Sequence, residues 1–114
     1  MKCDMNLIRQ IAFQIESATG PISSQQISVG DFSPQEIAHH CEMMNDRGLI
    51  IAHSTKTMRD AHPMFHVSRL SPLGHDFVDA ARSDTVWNKV VRIVKNRLGD
   101  LSIQLLIDYL KKAS

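Results

Sequence analysis

The first apolar positions of the chain recur at the spacing of one helix face. They are Leu7, Ile8, Ile11, Ala12 and Ile15. This period predicts an amphipathic helix over residues 4–18. Asp4 suits the N-cap, because its short side chain can accept a bond from the free backbone N–H groups of the first turn. Gly20-Pro21 is expected to end the helix.

The strongest helix signal covers residues 34–47. Ser33 is the predicted N-cap, Pro34 takes the first helical position, and Glu36 completes a capping box. The apolar stripe of this helix consists of Ile37, Cys41 and Met44, with His40 on its edge. Gly48 stands where a helix end favours the left-handed conformation, so we expect the helix to stop there.

Two strands are predicted after this helix. Leu49-Ile50-Ile51 indicates one, and residues 64–70 indicate the other. Residues 53–63 between them are polar and basic, which predicts a hairpin with a long basic loop. Upstream, residues 22–29 fit either a short strand or a degenerate helical turn.

The rest of the chain is predicted to be helical. Ser71-Pro72 again pairs an N-cap with proline and opens a helix to about Arg82. A further helix spans about residues 84–98, and a last one follows Ser102. Their apolar positions are Val86, Trp87, Val90, Val91, Val94, Leu98, Ile103, Leu106, Ile107 and Leu110. The helical spacing of Trp87 with the valines predicts a core side chain.

The order helix, strand, helix, strand, basic loop, strand, helix is the layout of a winged helix. We therefore expect a mainly α protein with a small antiparallel β-sheet, an α+β fold that is winged helix-turn-helix-like with extra C-terminal helices. Residues 1–114 are expected to form a single domain, with the wing at about 50–70 and the C-terminal helices at about 72–113. Those helices either pack on the first helix or build a homodimer.

Five segments of the chain form a recognisable series. They are MKCDMNLIR (1–9), IAHH (37–40), GLI (48–50), LSPLG (70–74) and DAARSDTVWNK (79–89). In them the chain resembles a family of small bacterial and phage proteins known only as a domain of unknown function. The resemblance implies a winged-helix-like fold and no established activity. Cys3 and Cys41 depart from the family pattern, where a basic or polar residue and a leucine-like residue are expected.

The charge of the chain limits how it could bind nucleic acid. Its 114 residues include 13 Lys and Arg against 12 Asp and Glu, a net charge of +1. A protein held to nucleic acid by bulk charge would be far more basic, so DNA binding requires a local patch. Residues 21–48 carry four carboxylates and one arginine, whereas residues 85–114 carry six basic residues and two aspartates.

Three surfaces are candidates for contacting double-stranded DNA. The face of helix 34–47 offers Gln35, His39 and Met43, but Glu42 and Asp46 on the same face would repel phosphates. In the wing, the candidates are Lys56, Thr57 and Arg59. On helix 84–98 they are Lys89, Arg92 and Lys95, at three-residue spacing. For each surface the alternative is an ordinary solvated face.

Enzyme chemistry is not expected. The chain has no G-x-S-x-G motif and no glycine-rich phosphate loop. His39-His40-Cys41 lacks metal-ligand spacing, so no metal or cofactor is predicted. Two cysteines without a CxxC pair, no signal peptide and no apolar run long enough for a membrane span favour the cytoplasm.

Two functions of different classes remain open. The first is a DNA-binding regulator of phage or mobile-element origin. The second is a protein-interaction module that keeps the winged-helix fold without DNA binding and modulates a host protein. The acidic helix 34–47 favours the second, and the basic wing favours the first.

Overall fold

The computed structural model describes residues 4–54, 64–98 and 103–113. Its elements, in chain order, are helix α1 (Met5–Ser17), strand β1 (Ile22–Ser23), a short 3-10 helix (Ser24–Gln26), helix α2 (Pro34–Asp46), strands β2 (Ile50–Ser54) and β3 (Phe65–Leu70), and helices α3 (Pro72–Ala81), α4 (Asp84–Leu98) and α5 (Ile103–Ala113). The mainly helical α+β class with a small antiparallel sheet is confirmed. Residues 22–29 satisfy both alternatives, because a two-residue strand runs directly into a 3-10 turn.

The predicted helix starts are confirmed by their hydrogen bonds. The Asp4 side chain accepts from the backbone N of Leu7 at 3.1 Å, which caps α1. Ser33 and Glu36 form the reciprocal capping box of α2. Ser71 Oγ accepts from the backbone N of Gly74 at 2.9 Å and caps α3. These caps satisfy backbone donors that a helix start otherwise leaves without partners.

The three strands form one antiparallel sheet in the order β1-β3-β2. Strand β3 lies in the centre, with Ile22 of β1 opposite Val67. Strand β2 pairs with β3 along its whole length, which confirms that the two segments form a pair of strands. The predicted bounds of the first were wrong, because β2 continues to Ser54, two residues into the segment predicted as loop. A β-bulge between Ile51 and Ala52 shifts the register of the pair by one residue. The hairpin loop itself, residues 55–63, lies outside the described part of the chain.

The junction between α2 and β2 is locked to the start of α3. Gly48 adopts a φ of 78°, the left-handed conformation predicted for it. The Ser71 hydroxyl donates to the Gly48 carbonyl oxygen, and the Ser71 backbone N donates to the Leu49 oxygen at 3.0 Å. A Cβ at Gly74 would lie 2.0 Å from that same Leu49 oxygen. The segments 48–50 and 70–74 therefore meet in space, and glycine is required at position 74 for their close approach.

One continuous cluster of buried side chains joins the elements. Helix α1 packs on α2, on β3 and on α3, while α5 packs on α3 and α4. The C-terminal helices contribute Trp87, Val90, Val94, Leu106, Ile107 and Leu110 to this cluster. Trp87 is 1% exposed, which confirms its prediction as a core residue. His40, predicted on the edge of the α2 stripe, is also 1% exposed and is therefore fully buried.

Candidate nucleic-acid interface

The outward face of α2 is polar and acidic. Gln35, Glu42 and Asp46 are exposed on it, and His39 is half-buried. Met43 is half-buried and packs against the core, so it offers less surface to a ligand than the helical spacing suggested. In the described part of the chain, neither Glu42 nor Asp46 forms an ion pair. The C-terminal half of this face would therefore repel a phosphate backbone.

The face of α4 is its electrostatic opposite. Lys89 and Arg92 are exposed one turn apart, and no described carboxylate lies within ion-pair distance of either. The side chain of Lys95 lies outside the described residues. Elsewhere, Arg82 pairs with Glu16 and Asp79. The charges of Lys89 and Arg92 thus stay available to an external anion.

The wing candidates Lys56, Thr57 and Arg59 lie outside the described residues. The strands that carry them are described. Arg69 is exposed on β3, and its Nη1 donates to the Leu70 carbonyl oxygen at 3.2 Å. The pairing of Ser54 with Phe65 places the end of β2 next to the start of β3.

The predicted DNA-contacting faces of α2 and α4 belong to different parts of the molecule. The main packing partners of α2 are α1, the 3-10 helix, β2 and β3. Those of α4 are α3 and α5. The two helices are linked mainly through α1 and α3, so their outward faces do not merge into one groove.

A cluster around Arg9 holds α4 in place, and this was not anticipated from the sequence. Arg9 donates to the Ala81 carbonyl oxygen through Nε at 2.9 Å and Nη2 at 2.6 Å. Its Nη2 also lies 2.7 Å from Asp84 Oδ1. The guanidinium carbon is 5.2 Å from the ring centroids of both Phe13 and Trp87. Arg9 thus ties α1 to the corner where α3 ends and α4 begins.

Trp87 completes this cluster. Its indole Nε1 donates to Asn6 Oδ1 at 3.0 Å, and its ring meets Phe77 edge to face at 6.0 Å. Asn6 and Arg9 belong to the segment 1–9, whereas Asp84 and Trp87 belong to 79–89. The two most distinctive sequence segments therefore contact each other and form what we call the α1–α4 latch (Asn6, Arg9, Ala81, Asp84 and Trp87). These contacts within the protein explain the residues found in segments 1–9 and 79–89 without a ligand.

His40 is a buried connector between α2 and the start of α1. Its Nε2 accepts from the backbone N of Asp4 at 2.9 Å. Its Nδ1 is therefore the protonated nitrogen, and it donates to the Glu36 carbonyl oxygen at 2.7 Å. Burial lowers the pKa of His40 below its ordinary value of 6.5, with the Glu36 carbonyl opposing that shift. The neutral imidazole satisfies both bonds.

Groups that could support catalysis do not converge in the described part of the chain. Cys41 is buried, and burial raises the pKa of its thiol to about 12, so it is not a nucleophile near neutral pH. Over residues 4–54, 64–98 and 103–113, no three His, Cys, Asp or Glu side chains are arranged to hold a metal ion. A groove of about 450 Å³ lies between α3 and α5. It is lined by Leu73, Phe77, Ala80, Ile107 and Leu110, with Asp76, Asp79 and Lys111 beside them.

Comparison with known proteins identifies the family. The family model for hypothetical proteins called DUF2513 matches residues 2–100. The chain belongs to the DUF2513 family. An uncharacterised protein of Haemophilus influenzae is 29% identical over 110 residues, which cover 93% of this chain and 89% of the relative. No solved structure matches the chain. The expectation of a small family of unknown function is thereby confirmed.

The extent of the DUF2513 match can be related to the fold. Residues 2–100 span α1 to α4 and so include the whole α1–α4 latch. Helix α5 lies beyond the match, although it buries Leu106, Ile107 and Leu110 against α3 and α4. None of the described helices has the length and apolar character needed to cross a bilayer.

Proposed function

We propose that this DUF2513 protein is a small DNA-binding protein of the winged-helix type, a transcriptional regulator of phage or mobile-element origin. The observation that carries the proposal is the antiparallel pairing of β2 with β3 directly after α2. In the sequence, the segment with Lys56 and Arg59 lies between these two strands, which is where a winged helix has its DNA-contacting wing. The proposal implies a cytoplasmic protein without catalytic activity.

The charge distribution specifies how such a protein would meet the duplex. Lys89 and Arg92 supply exposed charge for phosphates, in addition to the wing. On α2 the exposed carboxylates of Glu42 and Asp46 lie in the C-terminal half. In the N-terminal half, beside Gln35 and His39, the half-buried Glu36 carboxylate accepts from the backbone N of Ser33. Backbone contacts therefore dominate, and base contacts are restricted to the first turns of α2. We expect binding with a steep salt dependence and limited discrimination between sequences.

Fluorescence anisotropy of a short labelled duplex tests this proposal. Binding should weaken strongly between about 50 and 200 mM salt. The double substitutions K56Q/R59Q and K89Q/R92Q should each lower the salt slope, by roughly 0.9 for every phosphate that the variant no longer neutralises. The control K111Q/K112Q removes the same formal charge from α5. Absence of salt-dependent binding, or an equal decrease in the control, would overturn the proposal.

A protein-interaction module is the second candidate function. It is favoured by the exposed carboxylates of Glu42 and Asp46, which suit a basic partner better than DNA. The homodimer is a related question, since a dimer would bring two wings to one duplex. If DNA binding is absent, capture of a host protein by the wild type and its loss in E42K/D46K would support this second function. Sedimentation equilibrium measures the oligomeric state in either case.

A further inference from the structure

Two histidines stand opposite each other on the solvent face of the hairpin. His53 of β2 pairs in register with His66 of β3, and their ring centroids are 5.1 Å apart with a 43° angle between the planes. His53 is exposed and His66 is half-buried, while the neighbouring Phe65 and Val67 point into the core. Both imidazoles therefore lie on the side of the sheet that faces away from α1.

The separation of these rings matches that of two imidazoles bound to one metal ion. Zinc–imidazole bonds are about 2.0–2.1 Å long, which puts each ring centroid roughly 3.2 Å from the ion. At the tetrahedral angle, two such centroids are about 5.2 Å apart. The observed 5.1 Å agrees with this value. The rings need only side-chain rotation, and no movement of the strands, to direct a nitrogen each at one ion.

The backbone holds the pair in this arrangement. His66 lies on the central strand, with Ser23 of β1 on one side and His53 of β2 on the other. The β-bulge at Ile51–Ala52 sets the register, because without its one-residue shift His53 would lie opposite Val67. Strands on both sides fix the Cα position of His66, and pairing with β3 fixes that of His53. The entropy lost when an ion binds is therefore mainly that of the two side chains.

We propose that His53 and His66 form a cross-strand binding site for a late first-row divalent ion such as Zn²⁺. Imidazole nitrogen is a preferred ligand of these ions, whereas Mg²⁺ prefers oxygen. Among the described residues, no third protein ligand lies at this site. Arg69, three residues further along β3, opposes a cation, although its Nη1 is engaged with the Leu70 oxygen. With two protein ligands the ion is exchangeable, and the test of the site does not use DNA.

Isothermal titration of the full chain with Zn²⁺ alone tests the site. The wild type should bind one equivalent that His53→Gln and His66→Gln each weaken by at least about tenfold, the lower range for losing even an outer-sphere partner. His75→Gln is the matched control, since His75 is exposed on α3, and it should bind as the wild type does. Mg²⁺ should give no saturable heat. Zn²⁺ should also raise the thermal midpoint of the wild type and not that of either variant.

Two results would overturn the site. One is wild-type affinity that neither His53→Gln nor His66→Gln changes, because the ion would then be bound elsewhere. The other is an effect of only one substitution, because the proposal requires both rings on one ion. Circular dichroism of both variants verifies that they fold, so that weaker binding can be assigned to the missing imidazole and not to unfolding.

Discussion

Helices α2 and α4 are both amphipathic, yet they are secured in different ways. Helix α2 is defined by local bonds, with Ser33 and Glu36 at its start and Gly48 just after its end. Helix α4 also has a local cap, because Ser83 Oγ accepts from the backbone N of Val86 at 3.2 Å. In addition, its start is bonded to side chains from about 80 positions earlier, Arg9 and Asn6. The outward face of α2 is acidic, and that of α4 is basic. The residues that start a helix are thus different from the residues that give its outward face a charge.

In the sequence segments 1–9 and 79–89, the residues of the α1–α4 latch have a structural role, whereas neighbouring residues are available for binding. Asn6, Arg9 and Trp87 are occupied with one another, so they are not free to contact a ligand. The basic residues Lys89 and Arg92 follow directly on the same helix and are free of ion pairs among the described residues. The latch therefore orients the basic face of α4, although none of the latch residues is part of that face.

The largest expected effect is that of Trp87→Ala. Removing a fully buried indole should cost about 3–5 kcal/mol in the free energy of unfolding, because it leaves a cavity between α1 and α4. Urea unfolding followed by circular dichroism measures it. Trp87→Phe keeps most of the apolar volume and removes the bond to Asn6, so it should cost less. Equal losses of stability in the two variants would contradict the packing role of the ring.

Arg9→Met should have the next largest effect. Arg9 is 14% exposed and serves both the Ala81 oxygen and Asp84, so its removal leaves a buried acceptor without a partner. We expect a loss of about 1.5–3 kcal/mol in the free energy of unfolding. The matched control is Arg82→Met, because Arg82 is 54% exposed and its ion pairs are worth about 0–1 kcal/mol. If Arg82→Met lost as much stability as Arg9→Met, the contacts of Arg9 in the latch would have no specific stabilising role.

Ser33→Ala tests how much the local capping box stabilises α2. It removes one half of the capping box of α2 and should cost about 1 kcal/mol in the free energy of unfolding. Ser28→Ala, at an exposed position before α2, should change the free energy by less than about 0.5 kcal/mol. The denaturant midpoints of the two variants measure this difference. If the midpoints were equal, the Ser33 cap would not stabilise the protein.

The last prediction concerns pH and His40. Because its pKa is lowered in the folded protein, the unfolded chain binds more protons once the pH falls below about 6.5. The stabilising contribution of neutral His40 is therefore complete above that pH and is lost as the pH falls further. Free energies of unfolding at neutral pH and at about pH 5 should show a smaller acid loss for His40→Gln than for the wild type. A larger acid loss in the variant would reverse the assigned sign.

Element starts could be predicted because their signals are local. Asp4, Ser33 and Ser71 were correct as N-caps, since each bonds a backbone group three residues away. Burial of His40 could not be predicted from the stripe of α2 alone, because its partner is the Asp4 backbone, 36 positions away. The latch was missed for the same reason. Arginine and asparagine near an N-terminus carry no sign of the helix they will meet.

Of the candidate sites, the basic surface could be predicted from the sequence and the histidine pair could not. The residue types of Gln35, Lys89 and Arg92 were enough to nominate a surface, because exposed positions follow from helical periodicity. The pairing of His53 with His66 depends on a one-residue bulge, which was not predicted from the sequence.

By itself, the amino-acid sequence determined the helices, their caps, the hairpin and the uneven charge of the chain, because these depend on neighbours within about one helical turn. The tertiary structure decided which charged groups neutralise each other, which histidine is buried and which two histidines face each other. These outcomes depend on distances between residues far apart in the chain, and only the packed core brings such residues together.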